Sequence, residues 1–332
     1  MLRGLCKNWK QPVFFSFDFS FSKEKFLELL LKIQANNLIP IGVVCDYSPQ
    51  NRALLKILNI TPENSFFTDP LLQHPLFCFA DFSHMLKLLR NHVFDHGISL
   101  NSGYFLSKTI FERILALEQS ELKICFKISK SHLLVQGPER QNVRKAAQLF
   151  SNTVGNFILE FLPSETPAGN FILLIDKLFD LFNSTIEINN KNSMKAGFCG
   201  SIEQMNLLLV AYNEINTLRV GRASKTNNLT FRKNLLPFQI GILQSINSLI
   251  KLFEYVKINF SVRYLLTFKL TQDCLQIFFS QIRSMGYRYD NPTPLEFLYR
   301  FRILAFTKNF QISIFLNLYK QKRFRKVCSL LI

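Results

Sequence analysis

Two continuous apolar runs, each ending in an aspartate, constrain the fold of this chain more than any other feature. The runs are "PIGVVCD" at 40–46 and "PLFCFAD" at 75–81. Short unbroken apolar runs are typical of strands that are buried on both faces, as in the centre of a parallel sheet. A helical pattern follows each run; the first opens at Ser48-Pro49 and the second closes at Gly97. This order predicts strand–helix units and therefore an α/β fold.

The residues before the first run predict one more strand and its helix. In "PVFFSFDFSF" at 12–21, phenylalanines alternate with polar residues, which favours a half-buried strand with Asp18 on its polar face. Ser22 can cap the helix that follows. The apolar stripe of that helix consists of Phe26, Leu29, Leu30 and Ile33.

After Gly97 the pattern changes from alternating elements to helices. Apolar residues recur with a helical period through most of the chain up to 260, and a long helix is expected over 261–283. Two polar tracts, 186–200 and 221–234, have the composition of loops. The second is rich in Lys and Arg and is either a phosphate-contacting loop or a solvated connector. The basic, aromatic tail at 319–332 favours a solvated end.

The charge of the chain favours a polyanionic partner. Its 332 residues carry a formal net charge of +17, which favours nucleic acid first and an anionic membrane surface second. An AT-rich genome, which would enrich Lys, Asn, Phe and Ile, is an alternative source of part of this bias. No apolar run reaches the ~18–20 residues that a membrane span needs. The seven scattered cysteines, several within apolar runs, favour reduced thiols in a cytosolic or nuclear protein.

Seven stretches, in the same order and over nearly the whole chain, resemble one family, the P-element transposases and their THAP-domain relatives. The stretches are "RGLCKNWKQPVFF", "VVCDYSPQNRALLKILNI", "FADFSHMLKLLRNHVFDHG", "KAAQLFSNT", "LPFQIGI", "LTQDCLQIFFSQIRSMG" and "NPTPLEFLYRFRI".

The resemblance implies an RNase H-like catalytic domain interrupted by a large helical GTP-binding insertion domain, a fold that combines an α/β part with an all-α part. We expect RNase H-like elements in 1–97, the insertion domain in 98–260, and an RNase H-like helix with the basic tail in 261–332. The family cuts and joins transposon-end DNA at a cluster of acids holding two Mg²⁺ ions. It uses GTP as an assembly cofactor.

The resemblance also assigns the acids. Asp46 matches the second catalytic aspartate of the family, although its position alone favours a cap for the helix that follows it. The catalytic glutamate falls on Gln276, and Asp273 matches an acid one turn earlier. The family's first catalytic aspartate lies upstream of the first matching stretch. Within this chain, Asp18 is the one candidate that could take its place. An amide is a weaker ligand than a carboxylate, so we expect metal contacts from Asp46 and Asp273 and no two-metal catalysis.

A Phe-Asp pair of the family recognises guanine, and Phe179-Asp180 matches it, with Asn183 one turn on. The ring would stack on the base and the carboxylate would accept two hydrogen bonds from it. Without the resemblance, Phe179 would be assigned to an ordinary core stripe with Leu178 and Phe182. A buried acid such as Asp180 would then need a partner.

Three further residues match nucleotide contacts of the family. Lys127 matches a basic contact and Val143 matches an apolar contact. Asn142 stands where the family has a lysine, so a contact between a positive charge and a phosphate is lost there.

The resemblance also predicts a gap in the sheet. An RNase H-like sheet has five strands with the first in the middle, and this chain was expected to provide only the third, fourth and fifth. The expected strands at 12–21 and 40–46 would then have unpaired edges. Lost upstream exons or a decayed copy are the favoured explanations, and another element that fills the gap is the third.

The leading interpretation is a P-element-type transposase fragment that binds DNA and GTP, lies in the nucleus, forms homo-oligomers and no longer catalyses. One alternative is an active transposase whose N-terminal part is missing from this sequence. The other is a domesticated interaction protein that pairs with other copies through its helical domain.

Overall fold

Ten short strands and twelve α-helices form the part of the chain that the computed structural model describes, which is residues 1–17, 21–118, 122–188, 192–222, 230–286, 291–307 and 327–332. The strands are β1 Leu2–Gly4, β2 Lys10–Gln11, β3 Ile39–Cys45, β4 Phe66–Phe67, β5 Leu76–Ala80, β6 Ile98–Ser99, β7 Phe105–Leu106, β8 Arg219–Arg222, β9 Thr230–Phe231 and β10 Val327–Leu331. The helices are α1 Lys23–Ala35, α2 Pro49–Ile57, α3 Phe82–Asp95, α4 Thr109–Leu117, α5 Lys130–Leu133, α6 Val143–Leu149, α7 Asn152–Phe161, α8 Thr166–Phe182, α9 Ile202–Thr217, α10 Pro237–Phe260, α11 Asp273–Ser284 and α12 Pro294–Thr307.

The main sheet has six strands in the order β2-β1-β10-β3-β5-β4. Its three central strands, β10, β3 and β5, run parallel, and every residue of β5 and β10 is buried. The two apolar runs were therefore predicted correctly as central strands. Ser22 and Ser48 cap α1 and α2 as expected, and Gly97 has a left-handed φ of 68° just after α3.

The last strand, β10, fills the gap that the sequence predicted. It pairs in parallel with β3 from Val327 to Leu331 and antiparallel with β1, so the expected unpaired strand edges are absent from the described sheet. The prediction of a solvated tail was wrong at 327–331, because "VCSLL" is apolar enough to be buried on both faces. Residues 319–326 of that tail lie outside the described residues.

The predicted strand at 12–21 is not found. Only Lys10–Gln11 just before it is a strand, and 12–17 is irregular, while Asp18 lies outside the described residues. Phe14, Phe15 and Phe17 are each more than 40% exposed. The rings of Phe15 and Phe17 lie 5.3 and 5.6 Å from Phe297 of α12. Phe15 and Phe17 therefore pack against a helix rather than lying on one face of a sheet.

The region after Gly97 is mainly helical, as predicted, with two differences. The short strands β6, β7, β8 and β9 form a second, four-stranded sheet, with β8 and β9 at the ends of the tract predicted as a loop. The long helix expected over 261–283 begins only at Asp273. Residues 261–272 are irregular apart from a 3₁₀ turn at Thr267–Leu270. No helix of the described residues has the length and apolar character needed to cross a bilayer.

Helix α10 lies against β5 and completes its hydrogen bonding. Gln244 and Ser248 donate to the Cys78 carbonyl at 2.9 and 2.5 Å, and the Ala80 N–H donates to the Ser245 hydroxyl at 2.9 Å. Because β4 pairs only with Leu76 and Phe77, these side chains satisfy the backbone groups of β5 beyond it. This contact fixes the carboxyl end of β5, where α3 begins.

Candidate functional site

The carboxyl ends of β3 and β5 place two aspartates next to each other. Asp46 follows β3 and Asp81 follows β5, and the Asp81 N–H donates to the Cys45 carbonyl at 2.8 Å. The Asp46 carboxylate accepts hydrogen bonds from the Ser48 N–H and the Asn51 side chain, both at 2.9 Å. Burial alone would raise the pKa of Asp46, but these bonds outweigh it and hold the pKa below its ordinary value. Asp46 is thus ionised and also orders the start of α2.

Asp81 is a buried acid that the sequence did not single out as a site residue. One of its oxygens accepts from the Gln272 N–H at 3.4 Å, whereas Oδ2 has no hydrogen-bond partner among the described residues. Burial, helped by the charge of Asp273, raises its pKa to about 6. The only sequence signal for Asp81 was that, like Asp46, it comes at the end of a predicted buried strand.

The other two predicted residues of this edge lie on α11. Asp273 is the first residue of the helix and is half-buried, and Gln276, one turn later, is exposed. We call Asp46, Asp81, Asp273 and Gln276 the acid edge. Within the described part of the chain, no group of three or more His, Cys, Asp or Glu side chains is placed to hold a metal ion. The described residues therefore do not fit a two-metal site.

The predicted guanine contacts lie at the end of α8, against the start of α3. The Phe179 ring is half-buried, with its centroid 6.3 Å from that of Phe82. Phe82 also stacks on Phe182 with centroids 4.6 Å apart. Phe179 thus belongs in part to the aromatic core, the alternative that the sequence had left open.

Asp180 has the partners that a half-buried acid requires. Asn192 donates to its carboxylate at 3.2 Å, and the Lys195 ammonium lies 3.7 Å away. Burial raises its pKa against the opposing effects of these two residues. Asn183 ends α8, where its N–H donates to the Asp180 carbonyl at 3.2 Å. The carboxylate is therefore held in one orientation on the open side of α8.

The remaining predicted contacts lie around α6. Asn142 caps this helix by accepting from the Lys145 N–H at 3.1 Å, and Val143 is its first residue. Lys127 is exposed, with its ammonium 5.5 Å from the Phe126 ring, and borders a cavity of about 210 Å³ whose described lining includes neither Phe179 nor Asp180. The structure therefore places Lys127 near α6 but does not join it to the guanine contacts.

Helix α3 connects the two groups of predicted nucleotide contacts. Its first residue, Phe82, packs beside Phe179, and Lys87 donates to the side chain of Gln141, next to Asn142, at 2.5 Å. We call the residues that α3 joins in this way the nucleotide face; they are Lys87, Asn142, Val143, Phe179 and Asp180. Sequence reasoning missed Lys87, because it lies beside the apolar stripe of α3 like an ordinary surface lysine.

Two family models match the chain. One is described as a TNP-like GTP-binding insertion domain and matches residues 83–196, and the other as a TNP-like RNase H C-terminal domain and matches residues 268–302. The first range contains every residue of the nucleotide face. The second contains Asp273 and Gln276.

Two curated proteins are similar over most of this chain. The Transposable element P transposase of Drosophila melanogaster is 34% identical over 309 residues, which are 91% of this chain and 40% of that protein. The DNA transposase THAP9 of Homo sapiens is 26% identical over 352 residues, covering 96% of this chain and 36% of that protein. The chain thus spans less than half the length of these curated relatives.

A solved structure shares the fold. The chain described as Drosophila P element transposase strand transfer complex is 32% identical and superimposes with a TM-score of 0.83, over 93% of this chain and 70% of that one. This match and the two family models confirm the predicted RNase H-like fold with a helical insertion. The chain belongs to the P element transposase family.

Proposed function

We propose that this chain binds GTP and DNA as part of a P-element-type transposition machinery and does not itself cut DNA. The observation that carries the proposal is the contrast between its two candidate sites. The nucleotide face holds Phe179 and Asp180 in place within a region that matches a GTP-binding insertion domain. The acid edge has one amide among its predicted acids and no metal-holding group among the described residues.

The acid edge carries too little negative charge for cutting. Two-metal phosphoryl transfer requires several carboxylates, because two divalent ions about 4 Å apart repel each other unless their ligands are anionic. Gln276 is neutral, and β10, which lies beside β3 in the centre of the sheet, carries no acid. Asp81, with its pKa of about 6, is engaged with the start of α11. Among the described residues, Asp46, Asp81 and Asp273 do not form a group that is placed to hold a metal ion.

Isothermal titration calorimetry with GTP tests the nucleotide part. We expect Asp180→Ala to weaken GTP binding by about tenfold or more, because hydrogen bonds to a charged group contribute about 1.5–3 kcal/mol each. Asp176→Ala is the matched control, since Asp176 is another half-buried acid with a raised pKa, one turn earlier on α8. Equal GTP affinities of the wild type and Asp180→Ala would refute the guanine assignment.

Salt dependence tests the DNA part. A chain with a net charge of +17 that contacts six or more phosphates should lose about 10³-fold in DNA affinity between 50 and 200 mM salt. Fluorescence anisotropy with a labelled duplex measures this slope. An affinity that does not change across this range would refute electrostatic DNA binding.

A cellular compartment and an oligomeric state follow from the same proposal. A DNA-binding chain acts in the nucleus, and all seven cysteines are free, as expected in a reducing compartment. We propose homo-oligomers on the same basis, with light scattering of the protein alone, with GTP and with DNA as the measurement. A monomer under all three conditions would exclude them.

A further inference from the structure

Lys87 is a buried cation that is in direct contact with no carboxylate of the described residues. Only 8% of the residue is exposed, and its nitrogen has no carboxylate within 4.0 Å in the described part of the chain. Its one recorded hydrogen bond goes to the neutral side chain of Gln141. The charges of Asp81 and Asp46 act on it only from beyond contact distance, so a ligand anion can still provide the direct partner that a buried ammonium needs.

The surroundings of Lys87 show where that ligand would lie. On the α8 side, Phe82 places the start of α3 against Phe179. On the α6 side, Gln141 immediately precedes Asn142 and Val143. Lys87 is five residues, or about 7.5 Å along the helix axis, from Phe82. It therefore lies on the α6 side of α3, roughly one and a half turns from the residue that packs beside Phe179.

Arg90, one turn further along α3, fixes this geometry. Its guanidinium donates to the carbonyls of Glu139 and Arg140 at 3.0 Å, which holds the turn that carries Gln141. Arg90 is fully buried, and its Nη1 has no hydrogen-bond partner among the described residues. Arg90 thus holds the turn that carries Gln141 and places a second buried cation one turn from Lys87.

We propose that Lys87 is the residue that binds the phosphates of the nucleotide and replaces the positive charge that Asn142 lacks. The inference rests on the proposed GTP binding and assigns a residue of that same site. Phosphate oxygens accept the ammonium hydrogen bond in place of Gln141. The ammonium also offsets the charges of Asp46 and Asp81, which would otherwise repel the phosphates.

Calorimetric titration of the full chain with GTP and with guanosine tests this. We expect Lys87→Gln to weaken GTP binding by about tenfold or more and to leave guanosine binding unchanged, because guanosine has no phosphate. Lys56→Gln, which removes an exposed lysine from the last turn of α2, is the charge-matched control and should change neither affinity. Adding Asn142→Lys to Lys87→Gln should restore most of the preference for GTP over guanosine.

The outcomes separate this inference from the proposed function. A wild type that binds neither ligand refutes both. A wild type that prefers GTP, with Lys87→Gln showing the same preference, refutes the role of Lys87 alone. Equal loss of GTP and guanosine affinity in Lys87→Gln would show a purely structural role and also refute the inference.

Discussion

The acid edge and the nucleotide face meet at α3 but differ in how they obtain their charge. At the acid edge, strand ends and the start of α11 fix the side chains, and Gln276 is an amide where a carboxylate was expected. At the nucleotide face, packed helices offer side chains from several directions, and Lys87 lies beside the position where Asn142 lacks a charge. The comparison suggests that a helical site tolerates the loss of a charged ligand better than a site at strand ends.

The largest expected effect concerns the sheet that carries the acid edge. Leu330 is 1% exposed in β10, between β1 and β3, so Leu330→Asp buries an unpaired charge in the centre of the sheet. We expect a loss of about 4 kcal/mol or more in the free energy of unfolding, measured by urea denaturation.

Leu209→Asp is the matched control, because Leu209 is 61% exposed on α9. It should change stability by about 0.5 kcal/mol or less. Similar effects of the two substitutions would show that β10 is not a central strand.

A smaller effect is expected from Asp81→Asn, and it depends on pH. The folded-state pKa of Asp81 is about 6, above its ordinary value of 3.8, so the folded protein holds this proton more tightly than the unfolded chain. The stability from that proton is fully present below pH 3.8 and is lost as pH rises through 6. The wild type should therefore lose up to about 3 kcal/mol relative to Asp81→Asn between these limits. Parallel pH dependences of the two unfolding free energies would contradict the buried position of Asp81.

The last substitution is expected to have no effect on DNA nicking. Gln276→Glu adds one carboxylate at the acid edge, and we expect no Mg²⁺-dependent nicking of supercoiled plasmid, because β10, which lies beside β3 in the centre of the sheet, still carries no acid. Gln276→Glu combined with Asp46→Asn controls for contaminating nuclease. Nicking that appears in the single variant and disappears in the double variant would show that the acid edge is complete.

Local sequence signals predicted the central strands β3 and β5 but not β10, which completes the sheet. The runs at 40–46 and 75–81 were recognisable because strands buried on both faces need unbroken apolar sequence. Strand β10 was not recognisable, since four apolar residues and a serine after a basic stretch do not reveal a partner almost 300 residues away. The alternation at 12–21 was misleading because α12, rather than a sheet, covers Phe15 and Phe17.

The candidate site shows the same limit. The resemblance identified Asp46, Phe179 and Asp180 because they belong to recognisable motifs. Asp81 and Lys87 became visible only through burial and through contacts with Gln272 and Gln141, which are distant in sequence. Short strands such as β6 and β7, of two residues each, carry too little periodicity to be predicted at all.

Anomalous diffraction from crystals grown with GTP and Mn²⁺ tests the central claim most directly, that the nucleotide face is complete and the acid edge is not. We expect nucleotide density between Phe179 and Lys87 and no pair of manganese peaks beside Asp46. Two peaks about 4 Å apart, ligated by Asp46 and Gln276, would contradict the account.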